Sequence, residues 1–304
     1  MKILVATEKP FAKAAVEGIR RIVESANGEL ILLEKYTDVS QLYAAVEHVD
    51  ALIVRSDKVT REVIAHAKNL KIVVRAGAGF DNLDLNACTE RGIVAMNTPG
   101  QNSNAVAELA IGMMVFMARN SFQSGTGTEL KGKTLGIHAY GHVGSLVGKL
   151  AKAFGMEVLA FDPFVPEEKM HADGILSVKS AAELYNRSNY VSLHIPATEQ
   201  TKKSINYDLL NTMPIGACLV NTARKEVIDE EGLKRLLADR PDFKYITDIA
   251  PDSPEDFKVF GTRFFATPKK MGAETAEANI NAGLAAAVQS VEFLTQGIDR
   301  FRVN

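Results

Sequence analysis

Short runs of consecutive apolar residues alternate along the chain with longer stretches in which apolar residues recur about every four positions. Apolar runs of four or five residues are typical of strands buried on both faces of a parallel sheet, and the four-residue spacing is typical of helices. The alternation therefore predicts an α/β protein whose parallel sheets are covered by helices on both sides. The predicted strands are Lys2–Ala6, Leu30–Leu33, Ala51–Val54, Ile72–Val74, Thr134–Ile137, Glu157–Phe161, Tyr190–Leu193, Ala217–Val220 and Tyr245–Thr247.

Two helices and a loop organise the rest of the chain. The apolar segment Asn104–Arg119 follows residues that suit a helix N-cap, and it predicts a long buried helix. The next segment, Ser121–Gly132, is rich in Ser, Gly and Thr and predicts a loop. A new strand–helix–strand unit is expected from Lys133, and the final helix is expected at Glu274–Thr295.

Length and charge narrow the class of protein. The 304 residues are 46% hydrophobic, enough for two domains with cores. The 35 basic and 37 acidic residues are scattered, so we expect neither a nucleic-acid partner nor a membrane. The longest uncharged apolar stretch, residues 109–118, is too short to cross a bilayer, and residues 1–6 resemble a strand rather than a secretion signal, so a cytoplasmic protein is expected. Cys88 and Cys218 are expected to be buried thiols, and no metal site is expected.

The strand at residues 134–138 leads into the segment AYGHVG, residues 139–144, and then into a predicted helix. A helix N-terminus directly after a strand directs backbone N–H groups and a positive dipole end at a phosphate. Gly141 would allow close approach of the phosphate and Gly144 close packing of helix on strand, whereas Ala139 replaces the first glycine of the GxGxxG pattern. The expected contacts with a dinucleotide pyrophosphate are Tyr140, Gly141, His142, Val143 and Gly144.

A carboxylate in the next strand favours one dinucleotide over another. Asp162 lies eighteen residues after Gly144, at a spacing that suits hydrogen bonds from the adenosine ribose hydroxyls. It would repel a 2′-phosphate, and no Arg follows in the Pro163-Phe164 dipeptide, so NAD is expected rather than NADP. The alternative is an ordinary glycine turn.

Four further strings carry a family resemblance: RAGAGFDN at residues 75–82, NTPGQN at 97–102, FDP at 161–163 and NTAR at 221–224. In order and spacing the chain resembles, over essentially its whole length, the D-isomer-specific 2-hydroxyacid dehydrogenases. The resemblance implies two Rossmann-like or flavodoxin-like domains. A substrate-binding domain at 1–96 and 276–304 would hold an inserted NAD-binding domain at 97–275, and the protein would be a homodimer that pairs through the NAD-binding domain.

Hydride transfer from a 2-hydroxy acid needs a fixed cation for the carboxylate and an acid/base near the hydroxyl. Arg224 directly follows an apolar strand and resembles the catalytic arginine of the family; a surface ion pair is the alternative. The backbone N–H groups of Ala78 and Gly79 are expected to bind the same carboxylate, unless this loop is a plain strand-exit turn.

The resemblance also assigns further contacts. Arg55 and Ser56, with Lys58 nearby, match the family position that grips a substrate phosphate, and Asn102 resembles another substrate contact; a solvated basic turn and a helix cap are the alternatives. Asp248 resembles the acid that receives the nicotinamide carboxamide, and its alternative role is to end a strand. The other cofactor contacts that the resemblance implies are Pro163, His194, Thr222 and Ala223.

The chain departs from the family at the acid/base. The family usually has a catalytic His in a Thr-Pro-His-x-Gly context and a Glu five residues after the acid matched by Asp248; here residues 267–272 read TPKKMG and Ser253 replaces the Glu. Counting from Gly272 favours Lys270 as the replacement, while counting from Pro268 favours Lys269. Loss of the Glu suits a lysine, whose pKa a neighbouring carboxylate would raise further above neutral pH. The remaining candidates for the acid/base are Asp252, Glu255 and His194.

The resemblance is closest to the branch of the family that oxidises 3-phosphoglycerate to 3-phosphohydroxypyruvate in serine biosynthesis. A phosphorylated 2-hydroxy acid is therefore the expected substrate and NAD the expected cofactor. Two alternatives stay open: a dehydrogenase for another small acid such as glyoxylate or hydroxypyruvate, and an NAD-binding protein without turnover.

Overall fold

The computed structural model describes all 304 residues, Met1–Asn304. The chain divides into two compact units, one formed by Met1–Asn102 with Glu274–Asn304 and the other by Ser103–Ala273. Each unit contains one parallel sheet with helices packed against it, which confirms the α/β prediction. The division expected at residues 97 and 275, and the substrate-binding role of the first unit, stay predictions.

The first unit has a five-stranded sheet in the order β2-β1-β3-β4-β5. Neighbouring strands are parallel, and Leu4 of β1 pairs with Ile31 of β2 and Leu52 of β3. The strands are β1 (Lys2–Thr7), β2 (Glu29–Glu34), β3 (Ala51–Val54), β4 (Ile72–Arg75) and β5 (Val94–Asn97). The helices are α1 (Lys13–Ser25), α2 (Val39–Val46), α3 (Arg61–His66), α4 (Leu85–Glu90) and the chain's last helix, labelled α12 (Ala276–Gln296).

The core of this unit lies on both faces of its sheet, because alternate residues of the same apolar strand point to opposite sides. Ile3 and Val5 pack in the cluster that also contains α1 and α12, whereas Leu4 and Ala6 pack in the cluster on the other face. Thr275 caps α12 by accepting a hydrogen bond from the backbone N–H of Ala278, which places the start of this helix two residues later than predicted.

The second unit has a seven-stranded parallel sheet in the order β12-β11-β10-β9-β6-β7-β8. The chain builds outward from β6 through β7 to β8, then returns to the other side of β6 with β9, so the strand order reverses between β6 and β9. The strands are β6 (Thr134–His138), β7 (Glu157–Phe161), β8 (Leu176–Ser177), β9 (Tyr190–Leu193), β10 (Cys218–Asn221), β11 (Lys244–Thr247) and β12 (Phe264–Ala266). The helices are α5 (Ser103–Ala118), α6 (His142–Ala153), α7 (Glu167–Ala172), α8 (Ala181–Asn186), α9 (Tyr207–Asn211), α10 (Glu230–Asp239) and α11 (Pro254–Phe257).

All nine predicted strands are present, and three others were missed. β8 and β12 have two and three residues and lie at the edges of the sheet, so they are too short to give a periodic signal. β5 follows Gly92 and is fully buried, so its apolar run did carry a strand signal.

The structure also bears on the two cysteines and on the search for a membrane-spanning helix. Cys88 and Cys218 are both buried free thiols, and burial raises the pKa of Cys88 to about 11 and the pKa of Cys218 to about 12. No helix of the chain combines the length and the apolar character that a bilayer crossing requires.

Candidate active site

The turn between β6 and α6 has the shape of a dinucleotide-binding turn although its first glycine is absent. Ala139 adopts a left-handed backbone conformation with φ 78°, the conformation for which glycine is favoured. Gly144 is essential at its position, since a Cβ there would lie 2.2 Å from the carbonyl oxygen of Ala139. The alanine therefore keeps the glycine's backbone geometry, and the missing glycine does not weaken the turn's shape.

The N-terminus of α6 is open. Its N-cap residue, Gly141, provides no side-chain cap, and a Cβ added there would meet nothing within 4 Å. His142 is exposed and Val143 half-buried, and the first backbone N–H groups of a helix have no partner within the helix. This opening fits a pyrophosphate bound by backbone N–H groups and the helix dipole.

Asp162 is held at the end of β7 by the turn itself. Its Oδ2 accepts the backbone N–H of Tyr140 at 2.8 Å, and its Oδ1 accepts the N–H of Phe164 at 2.9 Å. Each oxygen keeps a lone pair for a ribose hydroxyl. The side chain of Tyr140 is fully buried, with its hydroxyl on Asp173 at 3.0 Å, whereas Pro163 is exposed beside Asp162. The cofactor contacts expected for both residues stay predictions.

Two histidines lie at the ends of neighbouring strands, β6 and β9. His194 is 3.0 Å from the hydroxyl of Ser192 through its Nε2, and His138 is 3.1 Å from the hydroxyl of Tyr185 through its Nδ1. Burial lowers the pKa of His194 to about 3 and that of His138 to about 4. Both rings are therefore neutral near pH 7. A neutral His194 can line a cofactor pocket, but it carries no proton to donate as an acid at that pH.

The loop after β10 presents Arg224. The buried amide of Asn221 accepts the N–H of Ala223 and donates to the carbonyl of Arg224, both at 3.0 Å, so the loop is fixed from within. Arg224 is half-buried, and its Nη1 donates to the carbonyl of Ala223 at 2.9 Å. The hydroxyl of Thr222 is buried with no hydrogen-bond partner in the chain. A buried polar atom left unpaired in this way fits a contact with a bound cofactor.

The two candidate lysines follow β12. Lys269 and Lys270 are both exposed, so burial in this structure does not supply the desolvation that a neutral amine would need. Asp248, at the end of β11, is fully buried, and both of its carboxylate oxygens accept hydrogen bonds from the chain between Thr267 and Gly272. The cofactor contact expected for Asp248 stays a prediction, and the structure gives this carboxylate other partners.

The remaining candidates lie in the first unit. The Nη1 of Arg55 donates to the carbonyls of Lys9 and Pro10, both at 3.2 Å, and its Nη2 donates to Asn279. Most of the Arg55 guanidinium therefore holds the protein's own chain, whereas the neighbouring side chains of Ser56 and Lys58 are exposed.

The other substrate loop follows β4. It is tied down by Asn97, which donates to the carbonyl of Ala78 at 2.6 Å, and by the N–H of Thr98, which donates to the carbonyl of Gly77 at 3.0 Å. Ala78 is exposed, and Gly79 and Asn102 are half-exposed. The structure therefore leaves the expected ligand-facing residues of this loop accessible.

Within the second unit, the carboxyl edge of the sheet collects the β6–α6 turn, Asp162, His194, the Arg224 loop and Asp248. The sequence analysis did not predict several residues that anchor the loops of the site. Asn97 and Asn221 could have been predicted, because each is a polar residue at the end of a buried strand. No three His, Cys, Asp or Glu side chains of the chain come together as a metal site. The missed anchors are Asp57, Asn97, Asn221 and Thr267.

Comparison with known proteins identifies the family. Residues 92–268 match the family described as D-isomer specific 2-hydroxyacid dehydrogenase, NAD binding domain, and this match spans more than half of the chain. The chain belongs to the D-isomer specific 2-hydroxyacid dehydrogenase family. The expected Rossmann-like fold, NAD as cofactor and an oxidoreductase of this family are thereby confirmed.

Several relatives are similar over most of this chain. Hydroxypyruvate reductase of Thermotoga maritima is 36% identical over 84% of this chain and 88% of its own length. D-3-phosphoglycerate dehydrogenase of Methanocaldococcus jannaschii is 37% identical over 82% of this chain, which spans only 50% of that protein. The crystal structure of NAD+-bound 3-phosphoglycerate dehydrogenase from Entamoeba histolytica is 50% identical, with a TM-score of 0.88, over 100% of this chain and 98% of that one.

Ala139→Gly is expected to raise the free energy of unfolding by about 1 kcal/mol, because it removes the strain of an L-residue with positive φ. The measurement is urea unfolding. The control is Ala238→Gly in the right-handed backbone of α10, which should lower the same quantity by about 0.5–1 kcal/mol. Loss of stability in Ala139→Gly would contradict the strained turn.

The free energy of unfolding is expected to fall as the pH drops from about 6.5 towards 4. Burial lowers the pKa of His138 to about 4 and that of His194 to about 3, so in this window the unfolded chain binds protons that the folded chain does not. Each histidine contributes a loss of up to about 1.4 kcal/mol per pH unit. Urea unfolding at several pH values should show a shallower slope for His138→Gln, and the wild-type slope for His48→Gln, whose ring is exposed. An unchanged slope in His138→Gln would contradict the buried neutral ring.

Proposed function

We propose that this dehydrogenase oxidises D-3-phosphoglycerate to 3-phosphohydroxypyruvate with NAD, the first step of serine biosynthesis. The observation that carries the proposal is the pair of exposed polar side chains, Ser56 and Lys58, at the carboxyl end of β3. A hydroxyl and an ammonium group suit a phosphate dianion, and a dehydrogenase for an unphosphorylated acid needs neither. The names of the relatives from Methanocaldococcus jannaschii and Entamoeba histolytica support the same substrate.

Arg55 has a different part in this proposal than its sequence position suggested. Its guanidinium holds the segment at Lys9 and Pro10 and the side chain of Asn279, so it orders the loop that carries Ser56 and Lys58. Its remaining N–H groups stay available for the phosphate, since a guanidinium has five donors and three are used here. We therefore assign most of the phosphate's binding energy to Lys58.

The substrate carboxylate is assigned to Arg224, whose loop is fixed by Asn221. A planar guanidinium binds a carboxylate through two parallel hydrogen bonds, which also orients the C2 carbon. The backbone N–H groups of Ala78 and Gly79, with the amide of Asn102, are assigned to the same end of the substrate.

The proton of the substrate hydroxyl is assigned to a lysine. Bound NAD would supply the hydride acceptor for C2. As the carbonyl forms, the hydroxyl proton passes to the Nζ of Lys270, which returns it in the reverse direction. Lys269 is the alternative. A positive charge beside the amine, such as that of Arg224, would favour the neutral form that this step requires.

One observation favours a second candidate, a hydroxypyruvate or glyoxylate reductase. The hydroxypyruvate reductase of Thermotoga maritima is 36% identical over 84% of this chain, about the same identity and coverage as the phosphoglycerate dehydrogenase of Methanocaldococcus jannaschii. The substrate test below separates the two candidates.

We also propose a homodimer that pairs through the NAD-binding unit. Phe122 is 68% exposed, and its ring makes an edge-to-face contact with Phe116. Phe116 also packs against Phe265, which is 36% exposed. Three neighbouring aromatic rings at a surface favour an interface with a second copy.

The substrate test compares NADH formation from D-3-phosphoglycerate and D-glycerate. For wild type we expect a clear preference for the phosphorylated acid, and for Lys58→Ala a KM for D-3-phosphoglycerate raised about 10-fold, the size of one charge-assisted hydrogen bond. D-glycerate lacks the phosphate, so its KM should hardly change. Lys13→Ala, an exposed lysine of α1, is the matched control and should change neither KM.

Faster turnover of hydroxypyruvate or D-glycerate than of the phosphorylated pair would contradict the proposal and favour the reductase. Absence of turnover with every acid, despite NADH binding, would favour a binding protein without catalysis. Activity that survives Arg224→Ala would contradict the assigned carboxylate site.

A further inference from the structure

A small cavity lies in the first unit, where the chain turns back after α12. Gly297 ends this helix in a left-handed backbone conformation, φ 71°, which glycine adopts without strain. The chain then returns antiparallel to β5: Met96 forms a bridge with Arg302, and the N–H of Val303 donates to the carbonyl of Ala95 at 2.8 Å. The helix, β5 and the returning segment enclose a cavity of about 100 Å³. It is lined by Met96, Gln289, Glu292, Ile298, Arg300 and Phe301.

One polar atom of this cavity has no partner. Gln289 is only 7% exposed, and its Oε1 is buried without a hydrogen bond from the chain. Buried polar atoms are nearly always hydrogen-bonded, and leaving an acceptor unpaired costs free energy that an apolar side chain would not cost. An unpaired amide oxygen beside a cavity therefore indicates a donor that comes from outside the chain.

Two side chains of opposite charge line the same cavity. Glu292 is half-buried and follows Gln289 by three residues, so the two lie on one face of α12. Arg300 is exposed on the returning segment. Neither charged group makes an ion pair with another side chain, unlike the neighbouring Arg302, which pairs with Asp299. The cavity thus offers an amide oxygen and a carboxylate as acceptors, and a guanidinium as donor.

These groups define the chemistry of a ligand. An ammonium group satisfies both acceptors, because it carries several N–H donors and a positive charge. A carboxylate on the same molecule suits the guanidinium. An apolar cavity of about 150 Å³ holds benzene, so this smaller one takes a molecule of about five or six non-hydrogen atoms. A water molecule would satisfy the amide oxygen, but it would leave both charges without a counter-charge.

We propose that this cavity binds a small α-amino acid in its zwitterionic form. The ammonium group lies on Gln289 and Glu292, and the carboxylate lies on Arg300. Ile298 and Phe301 supply apolar surface for a short side chain. None of these residues is among those assigned to the substrate or to NAD, so the site is additional to the active site and does not depend on which hydroxy acid the enzyme oxidises.

The test is equilibrium dialysis of radiolabelled L-alanine against the whole chain, with unlabelled compounds as competitors. We expect saturable binding of one molecule per chain that saturating NADH does not displace. Propionate lacks the ammonium group and propylamine lacks the carboxylate. Each should compete at least about 10-fold more weakly than unlabelled L-alanine, the effect of one lost charge-assisted contact.

Two surface variants test the charged contacts. Glu292→Gln and Arg300→Gln each remove one charge and keep most of the side chain, so each should raise the dissociation constant of L-alanine about 10-fold. Glu277→Gln in the first turn of α12 and Arg21→Gln in α1 are the matched controls, since both side chains are exposed and lie outside the cavity. The controls should leave that dissociation constant unchanged.

Gln289→Met gives a readout that a purely structural glutamine would not give. Methionine is of similar size and lacks the strong acceptor, so the unfolding midpoint without ligand should rise by about 2 °C. The further rise that L-alanine causes in wild type, by binding the folded chain, should disappear. Gln296→Met, at an exposed position of the same helix, should show neither change.

Four results would overturn the proposal. Competition by propionate as strong as that by L-alanine would indicate an anion contact at Arg300 only, and equally strong competition by propylamine would indicate an ammonium contact only. Absence of saturable L-alanine binding would indicate a cavity filled by water. Binding that survives both Glu292→Gln and Arg300→Gln would place the ligand elsewhere, and these surface variants decide the matter even if Gln289→Met does not fold.

Discussion

The parallel pairing of β6 with β7 on one side and β9 on the other is the constraint on which the site in the second unit depends. Gly136 pairs with both Leu159 and Val191, so three strands end at the same level. The strand order reverses between β6 and β9, and the connections leave the sheet in opposite directions there. A crevice at such a point is where open α/β sheets bind ligands. The chain fits its β6–α6 turn into this place only because Gly144 lets the helix approach the strand.

Two carboxylates lie at the carboxyl edge of the sheet, and both accept hydrogen bonds from the protein's own backbone. Asp162 accepts the N–H groups of Tyr140 and Phe164, and so closes the turn against the end of β7. Asp248 accepts N–H groups from Met271 and Gly272, and so holds the segment that follows the two lysines against the end of β11. The two differ in what remains available: Asp162 is half-exposed and keeps lone pairs for a ligand, whereas Asp248 is wholly buried. Two carboxylates at the same edge of the sheet thus differ in how much of each remains open to a ligand.

Much of this arrangement could be predicted from residues close together in sequence. The turn and Asp162 follow a strand–turn–helix–strand spacing, and Arg224 directly follows an apolar strand, so local patterns located them. The partners of Arg55 could not be predicted, because Asn279 lies 224 residues further along the chain. The burial of Asp248 depends in the same way on donors 19 to 24 residues away. Local preference alone would not predict the left-handed backbone of Ala139, because that conformation is unfavourable for an L-residue.

The β6–α6 turn and Asp162 together suit a dinucleotide whose adenosine ribose lies on the Asp162 carboxylate. The most direct measurement is the dissociation constant of NADH and of NADPH for wild type and for Asp162→Ala, followed by cofactor fluorescence. Wild type is expected to bind NADH at least about 10-fold more tightly than NADPH, since the carboxylate would accept the ribose hydroxyls and repel a 2′-phosphate. Asp162→Ala should weaken NADH binding and reduce the ratio of the NADPH dissociation constant to the NADH dissociation constant. Equal affinity of wild type for the two cofactors, or an unchanged ratio in Asp162→Ala, would contradict binding of the ribose at Asp162.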